Sequence, residues 1–344
     1  MGDMANINSA TLSEFTDLVK REFTDASSNP INLIMRNAPF VVSDVIPLGA
    51  WDVRRYVQDL ARTQYAPIRG NGSEAVQGLV QYGYEKDVST YNIALAISIE
   101  KHLRDTGKNM EALRRVTDLT NVCPQTIDLD LAHRFGFAWS TSYSRTAQNG
   151  SAITMDTTMG DGLSMISAVH TLTGSATTYS TQIVGNPPFS KGALETAETS
   201  FVNESYDNLG IKVQYSPDTI FTTDDPSTCN QVRELINATA DITTSNSGTF
   251  NVYSTWYKHI KSGRIATTAT GAPDSSKAKY RFLLDSKAST LFLTMLNEPY
   301  LKVPMDGNNG ETFLSENWNY MTSADYGICV VSADWVRGSK GDAS

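Results

Sequence analysis

The amino-acid sequence predicts an α+β fold, and three stretches of the chain carry that prediction. Residues 109–144 have apolar side chains at steps of three or four, the spacing of one face of an α-helix. Residues 93–99 instead alternate apolar with small or polar side chains, as a strand with one buried face does. Residues 155–265 alternate strand-like and helix-like segments, which predicts a compact α/β unit with a mixed sheet.

The predicted helix is unusually long. At about 1.5 Å per residue it would extend roughly 50 Å, more than the diameter of an ordinary domain. Pro124 removes a backbone donor, so we expect a kink there, or a break and restart near Val122 and Cys123. The alternative is two ordinary core helices that meet at Pro124. The apolar face consists of Met110, Leu113, Val116, Thr120, Cys123, Ile127, Leu131, Phe135 and Ala138.

The pattern of residues 1–50 predicts an arm that begins with a short helix and continues as extended chain. The helix has a single apolar stripe, formed by Leu12, Phe15, Val19 and Phe23. This stripe has no obvious partner within its own segment. We therefore expect the arm to serve assembly more than folding, and removal of residues 1–25 to leave a folded chain.

Residues 51–101 predict a long hairpin that projects from the body. Its turn is the concentrated turn sequence Arg69, Gly70, Asn71, Gly72 and Ser73. Its body includes the alternating residues Ile93, Leu95, Ile97 and Ile99. A two-stranded ribbon is marginal in water, so we expect it to rest on another molecule or on the rest of the fold.

The second half of the chain predicts several shorter elements. A helix capped by Ser190, a strand over 211–215, a strand near Ile220 and a helix that begins at Asp225 and Pro226 follow one another. Residues 263–279 predict a polar, flexible loop. Residues 280–284, 290–296, 312–320 and 326–336 predict strands that return to pack on the long helix.

Composition narrows the class of protein. The formal net charge of −9 argues against a dedicated DNA- or RNA-binding protein, which needs clustered Lys and Arg. The three cysteines, Cys123, Cys229 and Cys329, are widely separated and predict buried, reduced thiols made in a cytoplasm. No apolar run has the length of a membrane span, and the first residues do not resemble a signal peptide.

Catalytic chemistry finds little support in the sequence, and we predict neither a metal site nor a cofactor. The one metal-like grouping is Asp128, Asp130 and His133, but on a helix Asp128 lies about 160° from His133 at ~100° per residue. We therefore expect these side chains to lie on a solvated helix face. A metal-dependent hydrolase that uses them is a rival hypothesis, and a Thr/Ser-rich adhesin or tail protein is another.

Residues 161–236 resemble the major head proteins of tailed bacteriophages, which have the Hong Kong 97-type capsid fold. The resemblance lies in the runs DGLSMISAVHTLTG, NPPFSKGALETAE, GIKVQYSPDTIF and DDPSTCNQVRELI. The matching positions are Asp161, Gly162, His170, Gly174, Leu194, Glu195, Gly210, Pro217, Asp218, Asp225 and Pro226. The order of elements over nearly the whole chain is similar to that family as well.

The resemblance implies five segments. They are an N-terminal arm (1–50), an extended hairpin loop (51–101), a spine helix with part of the peripheral domain (102–155), an axial α/β domain (156–265) and the return strands of the peripheral domain (266–344). In the family, the extended loop lies over an adjacent subunit. Nothing in this sequence identifies a matched Lys and Asn for the family's cross-linking chemistry.

The function implied is that of a structural shell protein, not an enzyme. It would assemble in the host cytoplasm as hexamers and pentamers into an icosahedral head that encloses double-stranded DNA, and would be part of the virion. Separate scaffolding and portal proteins, and decoration proteins in some heads, would be its partners, and DNA contacts would be weak. An encapsulin-like nanocompartment of the same fold is the nearest alternative.

Overall fold

A computed structural model describes residues 16–17, 19–21, 23, 33–46, 53–58, 65–72, 74–75, 77–78, 82–100, 109–240, 250–303 and 317–342. Within these ranges the chain combines α-helices with two four-stranded sheets and three short hairpins. The predicted α+β class is confirmed. Of the helices in these ranges, none is both long and apolar enough to cross a membrane.

The longest helix, α1, spans Asn109–Gly136 and has 28 residues, or about 42 Å at 1.5 Å per residue. Pro124 lies inside it and the helix continues without a break, so the alternative of two helices is wrong. A kink at Pro124 stays a prediction. The helix also ends before Ser144, because the chain turns at 137–141 and enters a strand. The predicted face is buried at Val116, Thr120, Cys123, Ile127, Leu131 and Phe135.

The first sheet packs against α1. Its strands, in spatial order, are β1 (Val41–Val45), β12 (Leu291–Lys302), β13 (Trp318–Val330) and β4 (Tyr91–Ile99). β1 runs parallel to β12 and the other pairs are antiparallel. The late strands therefore do return to the long helix, as predicted. β13 is one strand from 318 to 330 instead of parts of two, and residues 304–316 lie outside the described ranges.

Strand β4 corrects the predicted hairpin. Ile93, Leu95, Ile97 and Ile99 do form a strand, but β4 pairs with β13 along its whole length and does not belong to a projecting ribbon. Alternation of apolar residues predicts a half-buried strand without identifying its neighbour. The hairpin consists instead of β2 (Val53–Val57) and β3 (Glu85–Ser89).

The second sheet has the order β10 (Lys258–Lys261), β9 (Thr219–Thr222), β11 (Arg281–Leu284) and β14 (Val336–Ser339). It is mixed, as predicted, since β10 is parallel to β9 and the other pairs are antiparallel. Two of its strands come from the last eighty or so residues, so the predicted limits 155–265 do not contain the whole sheet. The predicted strand over 211–215 is wrong, because only Lys212 makes a bridge, to Tyr206.

Two capped helices flank this sheet. α2 spans Lys191–Asn203, and the Ser190 hydroxyl accepts the Ala193 N–H. α3 spans Pro226–Asn237, and the Asp225 carboxylate accepts the Thr228 N–H. Both predicted caps are confirmed. The buried faces also agree with the prediction and comprise Leu194, Ala197 and Phe201 on α2 and Val232, Leu235 and Ile236 on α3.

The main core joins α1 to both sheets. Aromatic side chains connect α1 and the residue before β1 with the second sheet, at ring-centroid distances of 4.9 to 6.5 Å. The rings are those of Phe40, Phe135, Phe221, Phe282 and Trp335. Such offset and edge-to-face pairs add to the free energy gained by burying the rings. All three cysteines are free and buried, as the sequence predicts.

Residues 263–279 are more ordered than the sequence suggests. They include 3-10 turns at Gly263–Ile265 and Ser275–Lys277. Ile265 is fully buried in the main core, and its carbonyl oxygen lies 2.6 Å from where a Cβ on Gly136 would be. The predicted flexible loop is therefore a packed connection, and the end of α1 needs a glycine at this contact.

Candidate functional site

The predicted loop tip lies between β2 and β3. Its described residues, 65–72, 74–75 and 77–78, are exposed and lie in neither helix nor strand. Asn71 and Gly72 form a turn, and Gly72 has a φ of +83°, a backbone conformation that favours glycine. Ser73 lies outside the described residues. The predicted turn is present, although the paired part of the hairpin covers only five residue pairs at its base.

Two large apolar side chains in this loop lack cover from their own chain. Tyr65 is 78% exposed and Ile68 is fully exposed, at 102% of the reference area. Burial of one such side chain is worth about 1.5–3 kcal/mol. An extended segment that presents both to solvent is therefore a candidate contact surface.

The base of the hairpin is fixed to the body through Tyr56. Its ring stacks on Phe292 of β12 at a centroid distance of 4.2 Å. Its hydroxyl donates to Asp44 Oδ2 at 2.7 Å and lies 2.6 Å from Thr294 Oγ1. Burial is the main reason that the pKa of Tyr56 is raised. These contacts connect β2 to both β1 and β12.

Gln58 provides a second attachment, immediately after β2. Its Nε2 donates to the buried carboxylate of Asp334 at 3.1 Å, and its Oε1 accepts the Tyr84 N–H at 3.4 Å. Gly83 lies so close that an added Cβ would be 2.6 Å from Gln58 Cβ. One buried amide thus connects the two ends of the loop to the segment that precedes β14.

The second strand is attached as well. Lys86 donates to Asp156 Oδ2 at 2.5 Å and to Thr158 Oγ1 at 2.7 Å. The Tyr84 hydroxyl lies 2.7 Å from Thr171 Oγ1. The exposed loop therefore extends from a base that is attached to the body through Tyr56, Gln58 and the β3 strand. The sequence does not predict these attachments, because each joins residues that are not near neighbours in the chain.

The N-terminal stripe has a partner within this chain, contrary to expectation. Val19 is fully buried and packs in a cluster with Ile99, Val116, Leu119, Trp318 and Tyr320. Phe23 is half-buried, and Leu12 and Phe15 lie outside the described residues. The described residues between 16 and 23 are helical, as predicted. Part of the arm thus packs in the core of its own chain.

Asp128 and Asp130 are buried, so the predicted solvated face is wrong. Asp128 accepts the backbone N–H groups of Met35 and Arg36 at 2.7 and 3.2 Å and the Arg264 guanidinium at 2.5 Å. Burial raises its pKa, and Arg264 offsets this in part. The carboxylate fixes the chain before β1 to the long helix.

Asp130 has a different set of partners. Arg145 Nη1 donates to its two oxygens at 2.6 and 2.5 Å, and the Tyr326 hydroxyl donates to Oδ2. Burial alone would raise its pKa, but His133, Arg145 and Tyr326 outweigh burial and lower it. Asp130 Oδ1 lies 3.7 Å from His133 Nδ1, but Asp128 is held by other partners, and no group of three side chains that could hold a metal ion occurs in the described ranges.

The Asp-Gly turn that carries the family resemblance is joined to its histidine. His170 is buried, its Nδ1 donates to Asp161 Oδ2 at 2.7 Å, and its Nε2 lies 3.1 Å from Thr181 Oγ1. Gly162 has a φ of +78°, which the turn requires. These contacts join the turn at 161–162 to His170 and Thr181, and the Thr181 carbonyl in turn accepts the Gly338 N–H of β14, so the residues have a structural role.

A cavity of about 650 Å³ lies between α1, the β3–β4 segment and the hairpin of β5 (Ser142–Thr146) and β6 (Ala152–Asp156). Cys123 and Cys329 line it, and burial raises the pKa of both thiols, that of Cys329 to about 12. Protonated thiols are poor nucleophiles. Arg134 lines the cavity too and donates to the carbonyls of Asp156 and Ile328 at 2.5 and 2.7 Å.

A second group of exposed apolar side chains lies near α2 and α3. Trp256 is 67% exposed, and Val184, Val202, Phe250 and Val252 are exposed too. Nearby, Tyr253 and Tyr257 donate their hydroxyls to the Glu198 carboxylate, which holds the segment against α2. This surface offers apolar contact area apart from the loop.

No protein-family model matches the sequence, and no curated protein matches it. Among solved structures, the chain is similar to one from the capsid of cyanophage P-SCSP1u, with a TM-score of 0.49 and 12% identity over 86% of this chain and 85% of that chain. It is also similar to one from the capsid of Myoviridae phage XM1, with a TM-score of 0.48 and 11% identity over 90% and 91%. A third comes from the capsid of an empty GTA particle, with a TM-score of 0.46 and 10% identity over 89% and 88%.

Proposed function

We propose that this chain is the major capsid protein of a tailed bacteriophage, a structural subunit that assembles into a closed icosahedral head enclosing double-stranded DNA. The sequence resemblance to that family and the order of elements support the proposal. The proposed class is also that of the similar solved structures, which are capsids. We assign the chain no catalytic reaction and no cofactor.

The observation that best supports the proposal is the loop between β2 and β3, which exposes two apolar side chains while its base is attached to the body of the fold. Tyr65 and Ile68 are exposed, while Tyr56 and Gln58 are buried against the body. A loop that only connected two strands would need neither the attachment nor the apolar residues. Cover by a second copy would bury both side chains and give each subunit a directional contact.

The proposal extends to the roles of the five segments named above, with two corrected limits: β4 belongs to the first sheet and not to the extended loop, and β11 and β14 complete the sheet of the axial domain. The loop around Arg69, Gly70 and Asn71 contacts a neighbouring subunit, and residues 1–15 of the arm add a further contact. The exposed apolar group around Trp256 is a third surface for neighbours. A shell subunit needs several different surfaces, because it meets several copies in hexamers and pentamers.

The chemistry of the chain suits a container. A net charge of −9 favours weak, non-specific contact with the packaged DNA. The buried carboxylates Asp128 and Asp130 each have an arginine partner and hold segments together. Scaffolding, portal and decoration proteins are proposed partners on the basis of the family resemblance.

Electron microscopy of the overexpressed chain tests the proposal. Uniform closed shells or rings of capsomers are expected. A clean monomer at high concentration would contradict it. The contents of particles purified from infected cells distinguish the two kinds of shell, since packaged double-stranded DNA is expected of a phage head and cargo enzymes of an encapsulin-like compartment.

A further inference from the structure

Two Asn-Gly pairs within the described residues form a natural comparison. They are Asn71-Gly72 in the exposed loop and Asn149-Gly150 in the turn between β5 and β6. Both asparagines are exposed. The glycines have nearly the same φ, +83° and +81°, and an added Cβ would meet nothing within 4 Å at either. Both sites are therefore exposed to solvent, and their glycines have similar φ angles.

Hydrogen bonding distinguishes the two sites. The Gly150 N–H donates to the Ala147 carbonyl at 3.0 Å, and Asn149 Oδ1 accepts the Ser151 N–H at 3.0 Å. The strands on either side of that turn are paired. Around Asn71, by contrast, no hydrogen bond to another described residue engages the Asn71 side chain or the Gly72 nitrogen.

We propose that Asn71 is a site of spontaneous deamidation, which converts the neutral loop tip into an acidic one. The Gly72 nitrogen loses its proton and attacks Asn71 Cγ, a new C–N bond closes a succinimide ring, and the side-chain nitrogen leaves as ammonia. Water then opens either ring carbonyl, which gives aspartate or isoaspartate. Gly72 favours ring closure because it has no side chain. Gly150 resists it because its N–H is held by Ala147.

The modification has a consequence for assembly, and this part rests on the proposed function. Each conversion adds one negative charge to a chain of net charge −9, two residues from Arg69. Isoaspartate also lengthens the main chain at the turn. A loop covered by a neighbouring subunit would be held in one conformation, so deamidation of Asn71 proceeds more slowly in shells than in the unassembled chain.

The test is peptide mapping by mass spectrometry of the full-length chain, incubated unassembled at mildly alkaline pH. Conversion is detected by the mass change from amide to carboxyl, and isoaspartate by enzymatic methylation. Asn71 is expected to convert several-fold faster than Asn149, and Asn71→Gln is expected to remove the methylation signal from the loop peptide. Equal rates at the two asparagines, or faster conversion of Asn149, would overturn the proposal.

A second comparison separates this inference from the proposed function. Shells and unassembled chain are incubated side by side, and Asn71 is expected to convert several-fold more slowly in shells. Equal conversion of Asn71 in both would overturn the claim that a neighbour covers the loop and would leave the deamidation site intact. If the chain forms no shells at all, the proposed function fails, and the comparison of Asn71 with Asn149 still decides the modification.

Discussion

Gln58 Nε2 donates a hydrogen bond of 3.1 Å to Asp334 Oδ2, across 276 positions of sequence. Asp334 is buried, and burial raises its pKa. The bond connects the base of the exposed hairpin to the segment that leads into the last strand. Because the same amide also accepts the Tyr84 N–H, Gln58 holds the start and the end of the loop together.

Replacement of Gln58 by leucine should destabilise the folded chain. The change leaves a buried carboxylate and a backbone N–H without this partner, which costs about 1–3 kcal/mol for each unsatisfied group. Urea unfolding followed by circular dichroism measures the loss. Val57→Thr, on the exposed face of the same strand, is the control and should change stability by less than about 0.5 kcal/mol. Equal midpoints for the Gln58 variant and wild type would show that the bond contributes little.

Asp130→Asn should lower the free energy of unfolding by more than the loss of a surface charge does. Asp130 is buried and accepts hydrogen bonds from Arg145 and Tyr326. Loss of one partner of a buried pair costs about 3–5 kcal/mol, and the lower end applies because Arg145 reaches solvent. Glu111→Ala is the control, since its pair with Arg115 is exposed and is worth about 0.3–0.5 kcal/mol. Urea unfolding compares the two variants, and a similar loss of free energy of unfolding in both would contradict the stabilising role of Asp130.

Val19 decides where the N-terminal arm belongs. Because Val19 is fully buried beside Trp318 and Tyr320, Val19→Ala should destabilise the unassembled subunit by roughly 1–2 kcal/mol. Removal of residues 1–25 should lower the free energy of unfolding further than Val19→Ala does. The sequence alone predicts instead that the truncated chain still folds. Thermal unfolding of unassembled protein measures both changes. An unchanged melting transition in the truncated chain would show that the arm serves assembly only.

His259 should give the stability of the chain a pH dependence. Burial, together with the nearby charges of Arg233 and Lys261, lowers its pKa to about 4 from an ordinary value of 6.5. The unfolded chain therefore takes up a proton at this residue before the folded chain does. The stability that the neutral, buried His259 contributes is complete above pH 6.5 and is lost progressively as the pH falls towards 4.

The variant His259→Gln tests this directly. Glutamine can still hydrogen-bond Thr222, which lies 2.9 Å from His259 Nε2, but it does not titrate. The difference in unfolding midpoint between about pH 7 and about pH 5 should be smaller in the variant than in wild type. Parallel changes in the two proteins would contradict the assignment to His259.

Local patterns in the sequence predicted the elements well, and the contacts between them poorly. The capped helices α2 and α3 and the alternating strand β4 were predicted because capping and alternation act between near neighbours. The partner of β4 was not, since β13 lies more than two hundred residues away. The burial of Asp128 and Asp130 was missed because their arginine partners, Arg264 and Arg145, come from other elements.

The candidate contact loop shows the same division. Its turn at Asn71 and Gly72 follows from residue type, because glycine tolerates a positive φ. Its attachment through Tyr56 and Gln58 depends on Phe292 and Asp334, which no local pattern associates with them. Sequence alone therefore identified the tip of the loop but not the base that holds it.

The central claim is that the exposed loop binds a neighbouring subunit, and the double variant Tyr65→Ser with Ile68→Ser tests it most directly. The change removes apolar area worth about 1.5–3 kcal/mol per side chain if a neighbour covers it, and each 1.4 kcal/mol is tenfold in an equilibrium constant. Light scattering and electron microscopy measure the concentration at which shells form. Val169→Ser, at an exposed valine outside the proposed contact surfaces, is the control, and circular dichroism checks folding. We predict that the folded double variant requires at least about tenfold more protein to assemble, or forms no shells. Shells at the same concentration as wild type would contradict the claim.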